Sequence, residues 1–409
     1  MKKDVILYVG NFMFPDKNAT SQRILGNANI FKDIGYETVL IGADKDVLEN
    51  DNILSTKKNS YGFKSYMLPY PSSSKGWINY KQQFYRFKKL IDDLKIQERV
   101  CIVIIYGSPT LSLMGWEVRK WCNINNIIFL SDCVDWIPPT RGNIIFRIIK
   151  WLDTTYQIRY LNTKADGIIA VSKFFTDYYK KYGCSVITVP PLTDTQQEKF
   201  QYEIEGCSKY EKIKLIYVGT PFALDNAKNN KNKYKDRLDK VICLLNEIKK
   251  DGVEFEFNIY GLSLEDYLYS VPEHRAILED CKKYIFFNGI ICHMEAIKKI
   301  QESDFFIFLR DINKMTMAGF PTKFVESISC GTPVLTNKTS DIGEYLVNDI
   351  NGFWLTIDNN DKTLIELKRI LNLSREKIKQ MKEECKSSKM FDYRNYKETL
   401  STFLQDLIN

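Results

Sequence analysis

The sequence predicts an α/β protein built from two doubly wound parallel-sheet units. Short apolar runs are continuous rather than alternating, helical patterns separate them, and the alternation restarts after one polar, aperiodic stretch in mid-chain. Continuous β-branched runs mean strands buried on both faces, which requires helices above and below a parallel sheet.

In the first half, Val5–Val9 reads as a strand, Ala19–Ile34 as a helix ended by Gly35, and Glu37–Ile41 as a second strand. Cys101–Tyr106, Ile127–Leu130 and Gly167–Val171 are further strands, and Val186–Val189 runs into the breaker Pro190-Pro191. Residues 192–212 are polar and without period, as a linker would be. Beyond them, Leu215–Val218 ends in Gly219 and Phe255–Tyr260 in Gly261, with a helix at Arg237–Lys249 between. Tyr284–Phe287, Phe305–Leu309 and Pro333–Thr336 complete the strands, with helices at Met294–Gln301 and Lys323–Cys330. The expected division is 1–192, a linker at 193–212, 213–389, and a terminal helix at 390–409. Two such units imply a cleft between them, with ligands beyond the carboxyl ends of the strands.

The chain has 409 residues with 44% hydrophobic and 27% charged content, which excludes wholesale disorder. A formal net charge of +7 is too weak to imply nucleic acid without a clustered patch. The ten cysteines form no Cys-x-x-Cys pair, so reduced thiols are expected rather than a zinc or disulfide framework. The N-terminal stretch lacks a signal peptide's long apolar core, and no run reaches 18 apolar residues. The expected location is cytoplasmic, at most peripheral on a membrane.

The sharpest segment is 319–335, GFPTKFVESISCGTPVL. Gly319-Phe320-Pro321 is a loop feeding a helix that starts near Thr322, with proline in the first turn and threonine as a capping residue. Exposed amides there, the helix dipole and Lys323 suit a diphosphate. Glu326, four residues after Thr322 on the same face, can accept both hydrogen bonds of a ribose diol; the alternative is a solvated glutamate on a capped helix.

The segment resembles the second-domain signature of family 4 of the retaining glycosyltransferases, in the polysaccharide-assembly branch with Pro-Thr-Lys-Phe before the glutamate. Four other stretches resemble the family in the right order: ADGIIAVSKFFTDYYKKYGCSVITVPPLTD (165–194, with Ser172), KLIYVG (214–219), FFNGIICHMEAIKKIQESDFFIFLR (286–310) and MFDYRNYKETLSTFLQDL (390–407). The resemblance implies the GT-B fold, two Rossmann-like domains facing a central cleft, with a terminal helix crossing back onto the first. It also implies metal-independent glycosyl transfer from a nucleotide sugar, with no cofactor.

Carried over by that resemblance, Glu326 holds the ribose, the main-chain amides at Thr322 and Lys323 meet the diphosphate, and Phe320 and Pro321 stand on the donor side. Gly219, Thr220, Gly261, Asn288 and His293 complete the donor side, and Lys235 neutralises the leaving phosphate. Two positions depart from the pattern. Ala318 replaces the first glutamate of Glu-x7-Glu, and Thr220 stands where an arginine usually follows the glycine, ahead of a long insertion at 221–234. Arg310, at a strand end, can supply the missing charge or be an ordinary surface arginine.

In the first domain Asn18, Ala19 and Ser21 open the first helix on the acceptor side. Asp132 and Asp135 follow a strand, either as groups that orient acceptor or sugar or as turn and capping aspartates. Residues 75–89 interleave basic and aromatic side chains. Residues 144–161 place Arg147, Lys150, Thr154 and Gln157 at helical spacing against an apolar remainder. Both stretches suit an anionic membrane and a polyprenyl-diphosphate-linked saccharide acceptor, the alternative for 144–161 being a helix packed on the sheet. No recognition module supports nucleic acid. Two further readings stay open: a non-catalytic nucleotide-sugar-binding subunit, favoured by Ala318 and Thr220, and a sugar-nucleotide epimerase, disfavoured by the lack of histidine in the first domain.

Overall fold

The computed structural model describes residues 3–14, 19–70, 79–106, 112–136, 144–202, 212–222 and 234–408. The chain forms two compact units: Met1–Thr193 with Ala318–Phe320 and Asp392–Asn409, and Asp194–Met317 with Pro321–Phe391.

The first unit carries β1 (Val5–Val9), β2 (Glu37–Asp44), β3 (Lys58–Ser60), β4 (Phe63–Pro69), β5 (Val100–Tyr106), β6 (Ile128–Cys133), β7 (Gly167–Ala170) and β8 (Val186–Thr188). Their order is β3-β4-β2-β1-β5-β6-β7-β8, parallel except for the β3–β4 hairpin. Its helices are α1 (Ala19–Asp33), α2 (Tyr80–Leu94), α3 (Ser112–Ile124), α4 (Ile144–Tyr156) and α5 (Lys173–Lys180). The expected doubly wound sheet is present, and its central strands β1 and β5 are buried along their whole length. The hairpin strands β3 and β4 did not stand out in the sequence. Lys58-Asn59 is polar and exposed, and Lys64 interrupts the apolar run of β4.

Two first-unit expectations are corrected. Asp132 does not offer an open face. It is fully buried near the end of β6, where Arg23 grips both carboxylate oxygens, donating from Nε at 3.0 and 3.1 Å, and the Tyr8 hydroxyl donates to it as well. Burial and the neighbouring carboxylate together push the Tyr8 phenol well above its ordinary value. Ser21 is likewise buried, its hydroxyl bonded to the Met13 carbonyl. In the described part of the 75–89 stretch, α2 turns Arg86 and Phe87 to the core and leaves Lys81, Gln82, Tyr85 and Lys89 exposed on its other face. Asn18 and residues 75–78 lie outside the described residues. Ala19 opens α1, and Asp135 is half-buried near Tyr106.

The second unit carries β9 (Ile213–Val218), β10 (Phe255–Tyr260), β11 (Ile285–Phe287), β12 (Phe305–Ile307), β13 (Val334–Thr336) and β14 (Gly352–Trp354). All are parallel, in the order β11-β10-β9-β12-β13-β14. This is the Rossmann order, with the strand sequence reversing at β9, so a ligand site is expected beyond the carboxyl ends of β9 and β12. Helices α6 (Leu238–Lys250), α7 (Leu264–Ser270), α8 (Arg275–Asp280), α9 (His293–Gln301), α10 (Lys314–Ala318), α11 (Thr322–Ser329), α12 (Asn360–Ile370) and α13 (Arg375–Ser388) follow in sequence. The terminal helix α14 (Lys397–Ile408) packs in the first unit, where a Cβ on Gly167 would stand 2.6 Å from Leu407 and 2.8 Å from Phe403.

No disulfide forms among the described cysteines, and no group of three or more metal-ligating side chains gathers among the described residues. No described helix is long and apolar enough to cross a membrane.

Candidate functional site

The carboxyl ends of β9, β10 and β12 in the second unit bring together residues far apart in the chain. β9 ends at Gly219 with φ +129°, and β10 at Gly261 with φ +101°, both in the region that favours glycine. The two ends touch, since a Cβ on Gly261 would lie 2.7 Å from the Gly219 carbonyl oxygen. A Cβ on Gly219 would lie 2.6 Å from Lys323 Cε, so the absent side chain lets the lysine lie across the strand end. Gly219→Ala should therefore displace Lys323 as well as strain the backbone. We expect a loss of roughly 1–3 kcal/mol in stability, the cost of a side chain in that backbone region, read by denaturant unfolding.

Lys323 enters from the first turn of α11. Pro321 occupies the N-cap and Thr322 the first helical position, with no side-chain cap bond. The expectation that Thr322 caps the helix is corrected: the chain enters one residue earlier, at Pro321, which has no side-chain acceptor, so no side chain caps the first amides of α11. Thr322 and Glu326 are one turn apart and both partly exposed. Phe320 is buried and belongs with Ala318 and Gly319 to the first unit, where the Ser172 hydroxyl donates to the Ala318 carbonyl at 2.6 Å.

The centre of the site is a carboxylate that sequence reasoning missed. Asp236 is buried at the start of the segment leading into α6 and accepts from Tyr217 Oη at 2.8 Å, Arg310 Nε at 2.7 Å and Lys323 Nζ. Lys323 Nζ also donates to Tyr217 Oη at 2.9 Å and sits 4.4 Å above that ring. Burial alone would raise the Asp236 carboxyl, but Lys323 and Arg310 outweigh it and hold the group well below the usual carboxylate range. Lys323 is pulled down from its ordinary value, first by burial and further by Arg310 and Lys235, against the opposing pull of Asp236.

Arg310 follows β12 as expected but is no solvated strand-end residue. Asn337 accepts from its backbone N–H and donates to its carbonyl, both at 2.8 Å. Lys235 is exposed beside the cluster, close enough to act on Lys323. Two cations share one carboxylate and a third stands alongside, leaving a positive surplus where β9 and β12 end. Such a surplus in a largely buried setting is suited to an anion.

The polar end of the site lies one turn further along α11. His293, the first residue of α9, brings Nε2 to 3.2 Å from Glu326 Oε1. Asn288 is exposed in the turn after β11, its amide donating to Asn258 Oδ1 at 3.0 Å. Thr220 follows Gly219 and is exposed, with Oγ1 3.4 Å from the Gly261 carbonyl. The donor-side residues other than Phe320 thus gather at one end of one sheet. The one signal in the sequence was Tyr217 in the apolar strand Leu215–Val218: a buried tyrosine needs a polar partner for its hydroxyl, but nothing local says which.

Residues 211–388 match the family model described as Glycosyl transferases group 1. No curated protein matches the chain. Among solved structures, sucrose-phosphate synthase from Thermosynechococcus elongatus aligns at 13% identity and TM-score 0.68, covering 100% of this chain and 99% of that one. Anabaena Alr3699/HepE in complex with UDP and glucose aligns at 13% identity and TM-score 0.64, covering 98% and 100%. The catalytic domain of starch synthase IV from Arabidopsis thaliana, bound to ADP and acarbose, aligns at 10% identity and TM-score 0.66 over 100% of both chains. At such identities the likeness is one of fold, and the fold is GT-B.

Proposed function

We propose that this protein is a glycosyltransferase, moving a sugar with retention from a nucleotide-sugar donor to a saccharide acceptor carried on a polyprenyl diphosphate, in cell-surface polysaccharide assembly at the inner face of the plasma membrane. The observation that supports the donor half is the Asp236-centred pair of cations at the switch point of the second sheet, one turn from Glu326. The diphosphate lies against Lys323, Arg310, Lys235 and the first amides of α11, and Glu326 takes the ribose hydroxyls.

In the reaction, the bond from the anomeric carbon to the diphosphate oxygen breaks as the acceptor oxygen bonds to that carbon. The acceptor proton passes to the departing diphosphate on the same face, and a nucleoside diphosphate leaves. Negative charge grows on the leaving group where the cations already stand, so their stabilisation is greatest in the transition state. Protein cations fill the role that a divalent metal has elsewhere, and no carboxylate pair of the glycosidase kind is required.

The test is a screen of UDP-, GDP- and CMP-sugars by thermal shift and by released nucleotide. One donor should both raise the melting temperature and slowly release its nucleotide. With that donor, Glu326→Ala should weaken binding about tenfold to a hundredfold, because a carboxylate accepting two hydrogen bonds is lost. An unchanged affinity would remove Glu326 from the ribose. Binding without release, even with membrane extract supplying acceptor, would favour a non-catalytic binding role.

A further inference from the structure

Helix α4 is turned the opposite way from ordinary packing. Ile144, Ile145, Ile148, Trp151 and Leu152 are each between 53% and 73% exposed. Their spacing places them on one stripe, roughly a third of the helix circumference. The inward face instead takes Thr154 and the following Gln157, both buried, and Thr154 Oγ1 and Gln157 Nε2 have no hydrogen-bond partner among the described residues. A helix that buries polar side chains and presents isoleucine, leucine and tryptophan to water is unstable in that setting unless something covers it.

The helix is held firmly in this orientation. Asp153 accepts from Ser112 of α3, Tyr156 meets Trp116 edge-on at 6.3 Å, and Ile158 and Leu161 just beyond α4 are buried. Contacts to α3 thus hold the opposite face of the helix and leave the stripe outward. The chain following it continues the same character. Tyr160, exposed, stacks on Tyr156 at 5.7 Å, and Tyr182, also exposed, lies 5.3 Å from Tyr178.

Charge distinguishes among occupants. Residues 144–182 hold seven lysines and arginines against three aspartates, more than half of the chain's formal net charge of +7. Arg147, Arg159, Lys164, Lys173, Lys180 and Lys181 are exposed. An apolar stripe of isoleucine and tryptophan, with the exposed Arg147 on the same helix and a net positive segment following it in the chain, matches the interface of an anionic bilayer, where aromatic rings sit at headgroup depth and cations pair with lipid phosphates.

We infer that α4 is a membrane-docking helix, which lays Ile144, Ile145, Ile148, Trp151 and Leu152 into the outer acyl region of an anionic lipid surface. The inference takes its purpose from the lipid-linked acceptor proposed above, but its geometry belongs to the first unit alone. The sequence pattern suggested the same stretch through its basic residues; the structure shifts the binding face to the apolar stripe, with Arg147 of the same helix exposed beside it.

The experiment is co-sedimentation of the full chain with vesicles of equal parts phosphatidylcholine and phosphatidylglycerol, and with phosphatidylcholine alone. The full chain should bind the anionic vesicles and bind the neutral ones much more weakly. The double variant Ile148→Gln, Trp151→Gln should lose at least about tenfold in partitioning, from the apolar area it no longer inserts. Its melting temperature should fall little, since about half of each residue is already in water (53% exposed). Failure of the full chain to bind, or equal binding by the double variant, would overturn the inference. A dimer by light scattering without vesicles, made monomeric by the same substitutions, would overturn it in favour of a second copy. Nucleotide release in solution is measured on the same samples. Vesicle binding without release leaves the docking face standing while the transfer reading falls, and release without vesicle binding does the reverse.

Discussion

Lys323→Ala is expected to lower glycosyl transfer by about 100- to 1,000-fold, the range for removing one preorganised group that meets charge developing in a transition state. The lysine is the member of the buried cluster closest to solvent, with 17% of its side chain exposed against 5% for Arg310 and 1% for Asp236. It is therefore the group best placed to reach an incoming phosphate. The loss should fall on kcat more than on KM, because the interaction strengthens as the diphosphate departs. Steady-state kinetics with the donor found by the screen measure it. A fall confined to KM would place Lys323 in ground-state binding only.

Asp236→Asn carries the second large effect, through the two cations rather than by touching substrate. Asparagine keeps a hydrogen-bonding side chain of the same size but removes the charge that opposes burial of Lys323. Asp236 raises the lysine's pKa, so removing that charge lowers it further. The alkaline limb of the donor-binding profile should then move to lower pH than in the parent protein. A role in packing alone would leave that limb where it was.

Stability follows the same electrostatics. The folded Asp236 carboxyl lies below its ordinary value of 3.8, so its contribution is present above that pH and fades as pH falls toward the folded value. At neutral pH, Asp236→Ala leaves two buried cations uncompensated and should cost about 3–5 kcal/mol, measured by denaturant unfolding.

Much of this architecture is legible in the sequence because burial on both faces leaves a direct mark. Val5–Val9 and Phe255–Tyr260 are apolar runs of strand length and appear as strands with the same bounds. β14 leaves little mark, since Gly352-Phe353-Trp354 is three residues long and opens with glycine. Helical periodicity identified α4 but could not tell inside from outside, because an apolar stripe has the same period whichever side it faces.

The residues now found near the carboxyl ends of the second sheet, Gly219, Gly261, Lys323 and Glu326 among them, lie in or beside local motifs that the sequence displays. The Asp236 cluster is not displayed in that way, since its partners Tyr217, Arg310 and Lys323 lie 19, 74 and 87 residues away and no local pattern joins them. Asp132 shows the converse. At a strand end it reads as a site aspartate, yet its partner Arg23 lies 109 residues distant and turns it into a buried structural pair.

The most direct measurement compares the affinities of a nucleoside diphosphate and its parent nucleoside for the full chain and for Lys323→Ala, by isothermal titration. The account predicts that the diphosphate binds the parent protein at least about a hundredfold more tightly, a difference of roughly 2.7 kcal/mol. Most of that difference should vanish in the variant, while nucleoside affinity stays the same. Equal affinities for nucleoside and diphosphate in the parent protein, or a diphosphate advantage untouched by the substitution, would contradict the assignment of this cluster to the leaving group.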